Sequence, residues 1–69
     1  MPECLSNRLK ERRTELGLTQ AELAELVGVT RKTVNTIENR VFVPSTILAL
    51  KLAKALDKRV EELFSISTG

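Results

Sequence analysis

Apolar residues recur at helical spacing along almost the whole chain, and polar or glycine punctuation divides the recurrence into five segments. The pattern predicts helix 1 from about Leu5 to Leu16, helix 2 from Gln20 to Val27, helix 3 from Arg31 to Asn39, helix 4 from Thr46 to Leu56 and helix 5 from Val60 to Phe64. Gly17 stands where helix 1 should end, and Pro44 with Ser45 marks the start of helix 4. Strand-period alternation is confined to Phe64-Ser65-Ile66-Ser67, and the chain has no internal repeat or low-complexity tract. The expected fold class is therefore all-α, a compact five-helix bundle.

The joint between helices 2 and 3 is the best specified point. Leu23, Ala24 and Val27 line one face of helix 2, and Gly28 follows at once. Without a Cβ, Gly28 can take the left-handed conformation that stops a helix within one residue. Val29 then plugs the turn. Thr30 is placed to accept a hydrogen bond from the first N–H groups of helix 3, and Thr19 with Glu22 repeats the device as a capping box on helix 2.

These residues, T-Q-x-x-L-A-x-x-x-G-V-T-x-x-x-V-x-x-I-E from Thr19 to Glu38, resemble the helix-turn-helix of phage repressor and Cro-type regulators. LKERRTELGLTQ before the motif and PSTILALKLAKAL with VEELF after it look like the first, fourth and fifth helices of small members. The resemblance thus runs from about Leu5 to Phe64. It implies a lambda repressor-like DNA-binding domain, here one domain over residues 1–69 with its core at 5–64 and a tail at 65–69. It also implies a transcriptional regulator that places helix 3 in the major groove.

Two charges interrupt the apolar stripes. Helix 1 reads Leu5, Leu9, Arg13, Leu16 on its inner side, and helix 3 reads Val34, Ile37, Glu38. A lone buried charge is costly, whereas a hydrogen-bonded pair can persist, so an Arg13 to Glu38 salt bridge is expected. Similar regulators carry such a pair at these motif positions. The alternative is that both side chains snorkel outward.

On a wheel of about 100° per residue, Lys32 and Thr36 lie about 160° from Val34, Asn39 about 140° and Asn35 about 100°. Arg31 sits in the first turn, nearer the flank. Arg and Lys can bond guanine O6 and N7, and Asn can pair with adenine N6 and N7. Arg31, Lys32, Asn35 and Thr36 are therefore the candidate base contacts, against the plainer reading of a solvated helix face. Candidate phosphate contacts are Gln20, at the positive end of helix 2 with a side-chain donor, Thr30, Asn39, Arg40 and Ser45. Ser45 and Thr46 also suit simple capping of helix 4.

Net charge is only +2, but it is unevenly spread: residues 19–28 carry −2 and residues 29–40 carry +2. The basic segment is the one that opens helix 3, which favours a nucleic-acid partner. An enzyme is excluded by inventory, because the chain has no His, one Cys and one Asp, and so no nucleophile and base to pair. The same shortage leaves no ligand set for a metal; no cofactor and no small-molecule ligand are expected. The longest apolar run, Ile47 to Leu50, ends at Lys51, so no membrane span is expected, and with no leader pattern the expected compartment is cytoplasmic.

With 69 residues, the chain buries only about 60 % of its unfolded surface, and with 3 % aromatic residues its core must come from Leu, Val, Ile and Ala. Even so, Val41, Val43, Ile47, Leu50 and Ile66 are surplus to that core. They predict a two-fold homodimer through helix 4, helix 5 and the tail, against scattered exposure without association. The family pattern often has Gly, Lys and Asn where this chain has Arg40, Val41 and Val43. Arg40 should then be left-handed unless Asn39 absorbs the turn. Asp57 replaces a terminal Gly, and Arg59 replaces the usual cap of helix 5. A rival function is a protein-interaction module of the same fold, antitoxin-like or co-activator-like, using the RVFVP loop, Ile47 and Leu50.

Overall fold

The computed structural model describes residues 3–68. In chain order the elements are β1 (Glu3–Asn7), α1 (Leu9–Glu15), α2 (Gln20–Val27), α3 (Arg31–Glu38), α4 (Thr46–Ala55), α5 (Val60–Leu63) and β2 (Phe64–Thr68). The two strands pair antiparallel, with Leu5 opposite Ile66 and Asn7 opposite Phe64. The fold is thus five helices closed by a small two-stranded sheet, and the all-α expectation is corrected.

The correction has a local cause. Leu5 and Leu9 are four residues apart and mimic a helical stripe, but Asn7 ends that reading: its Oδ1 accepts from the Leu9 N–H at 3.2 Å and its Nδ2 donates to the Ile37 carbonyl at 2.9 Å. The side chain therefore takes the first N–H of α1, whose N-cap Arg8 makes no side-chain cap of its own, and ties the start of the helix to α3. The Arg8 N–H goes to the Leu63 carbonyl at 2.8 Å, so the strand pairing continues into the helical body. The alternation noticed in 64–67 is real strand, and its partner lies about sixty residues earlier.

The core is Leu9 from α1, Leu23, Ala24 and Val27 from α2, Val34 and Ile37 from α3, Leu52, Ala53 and Leu56 from α4 and its cap, Leu63 from α5 and Phe64 from β2. Leu16, expected on the inner stripe, is exposed, because α1 stops at Glu15 and the residue serves as its C-cap. Leu18, beyond the turn, packs on the core instead.

Each of the first four helices closes on one hydrogen-bond pattern. Leu18 N–H reaches Arg13 O, Val29 reaches Ala24 O, Val41 reaches Thr36 O and Lys58 reaches Ala53 O, at 2.9–3.0 Å, with a bond spanning three residues, 3.0–3.3 Å long, nested inside each. That is the Schellman closure, and it needs a left-handed residue. The residues taking it are Gly17 (φ 72°), Gly28 (φ 75°), Arg40 (φ 63°) and Asp57 (φ 54°). Asn39 keeps φ −88°, so Arg40 carries the turn.

Candidate nucleic-acid interface

The helix 2 to helix 3 joint forms as its residues dictate. Thr19 caps α2 by accepting from the Glu22 N–H at 3.0 Å, and Glu22 Oε1 accepts from the Thr19 N–H at 2.8 Å. The Thr19 backbone N–H first, and the Thr19 side chain after it, hold the Glu22 carboxyl below its ordinary value. Thr30 caps α3 by accepting from the Thr33 N–H at 3.3 Å. Val29 is half-buried against the core, so the turn is fixed by packing as well as by caps.

Behind the joint, Arg13 and Glu38 meet. Arg13 Nε lies 2.7 Å from Glu38 Oε2, its Nη2 lies 3.2 Å from Oε1, and its Nη1 donates to the Leu18 carbonyl at 2.8 Å. The side chains are 10 % and 3 % exposed, so neither snorkels to solvent. Every buried side-chain polar atom among the described residues has a partner, which is what lets a charge pair persist beneath α3.

The outer side of α3 stands apart from that pair. Arg31, Lys32, Asn35 and Asn39 are exposed, while Thr36 is half-buried with its hydroxyl donating to the Thr33 carbonyl at 2.9 Å. Among the described residues no ion pair involves Arg31, Lys32 or Arg40, so their charge is available to a partner. Asn35 and Asn39 are joined, Asn39 Nδ2 donating to the Asn35 carbonyl at 2.9 Å and to its Oδ1 at 3.0 Å.

Gln20 joins this cluster too, against the role expected for its side chain. Its Nε2 donates to Glu38 Oε1 at 3.0 Å and to Asn35 Oδ1 at 3.2 Å, so both amide hydrogens are engaged within the protein. The side-chain donor offered to phosphate in the sequence reading is therefore occupied, because an inward carboxylate one helix away is the stronger acceptor. The sequence carries no signal for this, because Gln20 and Glu38 meet only when α2 packs on α3. The same holds for the Arg12 bond to the Leu56 carbonyl, 2.8 Å.

Thr30 and Arg40 are exposed near the two ends of α3, whereas Ser45 and Thr46 are exposed at the start of α4. Ser45 caps α4 by accepting from the Leu48 N–H at 3.2 Å. The apolar set of the dimer expectation is also on the surface: Val41, Val43, Ile47, Leu50 and Ile66 are each more than half exposed, and Phe42 nearly so. Among the described residues no helix is long and apolar enough to cross a membrane, and no cluster of three metal-ligating side chains occurs.

Comparison with known proteins agrees with this geometry. A helix-turn-helix family model matches residues 9–63. The uncharacterized HTH-type transcriptional regulator YgzD of Bacillus subtilis is 47 % identical over 60 residues, covering 87 % of this chain and 91 % of the relative. Among solved structures, the restriction-modification controller protein C.AhdI from Aeromonas hydrophila is 44 % identical with TM-score 0.76, covering 80 % of this chain and 83 % of that one. The P22 c2 repressor protein in complex with a synthetic operator is 31 % identical with TM-score 0.76, covering 78 % and 82 %. With the capped joint, the matched span and these relatives together, the chain belongs to the helix-turn-helix family of Cro/C1-type DNA-binding transcriptional regulators.

Proposed function

We propose that the protein represses transcription by occupying a palindromic operator as a homodimer. Each copy lays α3 in a major groove, with Arg31, Lys32, Asn35 and Thr36 toward base edges. The observation that carries this reading is the cationic, ion-pair-free first turn of α3, exposed at a joint held by two caps and a buried charge pair. Backbone N–H groups at the start of α2, around Gln20, together with Thr30, Arg40 and Ser45, contact phosphate on either side, whereas Asn39, expected among them from the sequence, has its backbone N–H and both amide hydrogens held by Asn35 and takes no part. Ser45 serves cap and phosphate at once, since its Oγ accepts from the Leu48 N–H while its hydroxyl hydrogen is left to donate.

The dimer forms through Val41, Val43, Ile47, Leu50 and Ile66, whose combined exposure is large for so small a domain. Two-fold symmetry then places two copies of α3 in successive major grooves about 34 to 36 Å apart. A single eight-residue helix discriminates poorly alone; the dimer doubles the length of sequence that is read.

Selection from random duplex DNA, followed by salt titration, tests the reading. The expected result is a palindromic motif and an affinity that falls steeply with salt as counterions are released. Sedimentation should show a dimer at micromolar concentration, and monomer alone would overturn that part. The exposed Val41-Phe42-Val43 run favours the second reading, a module that holds a partner protein. Under that reading the selection returns no enriched sequence.

A further inference from the structure

The buried carboxylate of Glu38 decides which atoms of the neighbouring amides face outward. An ionised carboxylate only accepts, so the Gln20 atom 3.0 Å from Glu38 Oε1 is its NH2 group. That nitrogen also lies 3.2 Å from the Asn35 side chain, and its second hydrogen requires an oxygen there. Asn39 Nδ2, held by the Asn35 backbone carbonyl at 2.9 Å, presses the same demand at 3.0 Å. Asn35 Oδ1 thus lies between the Gln20 and Asn39 amides at the surface and holds two hydrogens, leaving Nδ2 as the amide atom without a partner among the described residues.

The consequence concerns sequence readout. Pairing with adenine requires an asparagine to present oxygen to N6 and nitrogen to N7 together, and here the oxygen is occupied. We infer that Asn35 reads its base as a hydrogen-bond donor alone and selects guanine, with two acceptors at N7 and O6, or thymine O4, over cytosine, whose edge offers only a donor, and over adenine, whose N7 accepts one bond while its N6 amino group opposes the Asn35 NH2. Gln20 acts as the positioning residue that transmits this polarity from the Arg13–Glu38 pair. The inference rests on the reading of α3 as the base-contacting helix.

Selection from random duplex DNA with four proteins, each checked for cooperative melting, tests it. The Asn35→Ala variant locates the operator position that Asn35 reads, since preference there should vanish while other positions hold. At that position the unaltered protein should favour guanine or thymine by about fivefold or more. Asn35→Asp keeps both hydrogen bonds, from Gln20 and Asn39, but presents an acceptor in place of Nδ2, so preference should move to adenine or cytosine. The double variant Gln20→Met with Asn39→Ala removes both donors and frees the Asn35 amide to turn, so adenine should become acceptable at that position alone. Adenine favoured by the unaltered protein at that position would overturn the donor assignment. An unchanged preference in the double variant would overturn the positioning role. No position responding to Asn35→Ala, with the motif otherwise intact, would remove Asn35 from readout altogether. No motif for any protein would instead bring down the underlying reading of α3.

Discussion

Four helices end in the same hydrogen-bonded closure, yet the two in the N-terminal half and the next two are built differently. After α1 and α2 the left-handed residue is Gly17 or Gly28, and the residue that follows, Leu18 or Val29, packs on the core. After α3 and α4 it is Arg40 or Asp57, followed by the exposed Val41 and Lys58. A side chain in the left-handed region costs about 1–2 kcal/mol, less for Asp, so the second pair of turns does not follow from local preference. Contacts from distant parts of the chain hold them: Asn7 Nδ2 on the Ile37 carbonyl near the end of α3, and Arg12 Nε on the Leu56 carbonyl at the end of α4. One half of the molecule encodes its turns, and the other has them imposed. The joint that aims α3 belongs to the first kind. At the other end of α3, the strained position keeps a cation on the proposed phosphate side where a glycine would remove it.

The sharpest way to break the N-terminal half is to remove Arg13, which links Glu38 to the turn after α1 through Leu18. Arg13→Ala should cost about 3–5 kcal/mol by stranding the Glu38 carboxylate, read as a fall in the denaturant midpoint without a change in slope. An unchanged midpoint would mean that the pair does not support the joint. Next in size is Gly28→Ala. A Cβ there meets nothing within 4 Å, so the loss of about 1–2 kcal/mol in thermal or denaturant unfolding would be backbone strain alone.

The opposite substitution in the other half should have the opposite sign. Asp57→Gly relieves strain but loosens the unfolded chain, and a net gain of about 0.5 kcal/mol is expected by the same measurement. A loss would show that Asp57 is not strained and that the contrast between the halves is only one of composition.

The smallest effect is expected from acid, and it should appear in both halves. Hydrogen bonds from Thr19 hold the Glu22 carboxyl below its ordinary 4.5, and the Arg59 N–H, 2.8 Å from Glu62 Oε1, does the same for Glu62. Because both are lowered in the folded state, their contribution is present above pH 4.5 and fades as pH falls through the lower folded values. Glu22→Gln and Glu62→Gln should each flatten the dependence of melting temperature on pH below 4.5 and leave it unchanged at neutral pH.

Features that depend on adjacent residues were legible in the chain. Thr19 with Glu22, Gly28 and Thr30 each act within three or four residues, and their capping chemistry specifies the joint without help from the rest of the molecule. The Arg13–Glu38 pair was legible for a different reason, since two charges on inner stripes have few other ways to be buried. By contrast, Leu5 and Leu9 fit a helical stripe although Leu5 lies in β1, whose strand partner is at the far end of the chain. Likewise Gln20 offered a donor that the sequence assigned to phosphate, whereas folding brought Glu38 and Asn35 within reach of it.

The sequence by itself determined where four of the five helices lie, to within a residue at their ends, and how the second is joined to the third, because helical period, caps and glycine conformations are short-range properties. Only the tertiary structure decided the closing sheet, that Arg40 and not Asn39 takes the left-handed turn after α3, and the direction in which the Gln20 amide points. Each of those involves a hydrogen-bonding partner that is distant in the chain and becomes a neighbour only when the core has formed.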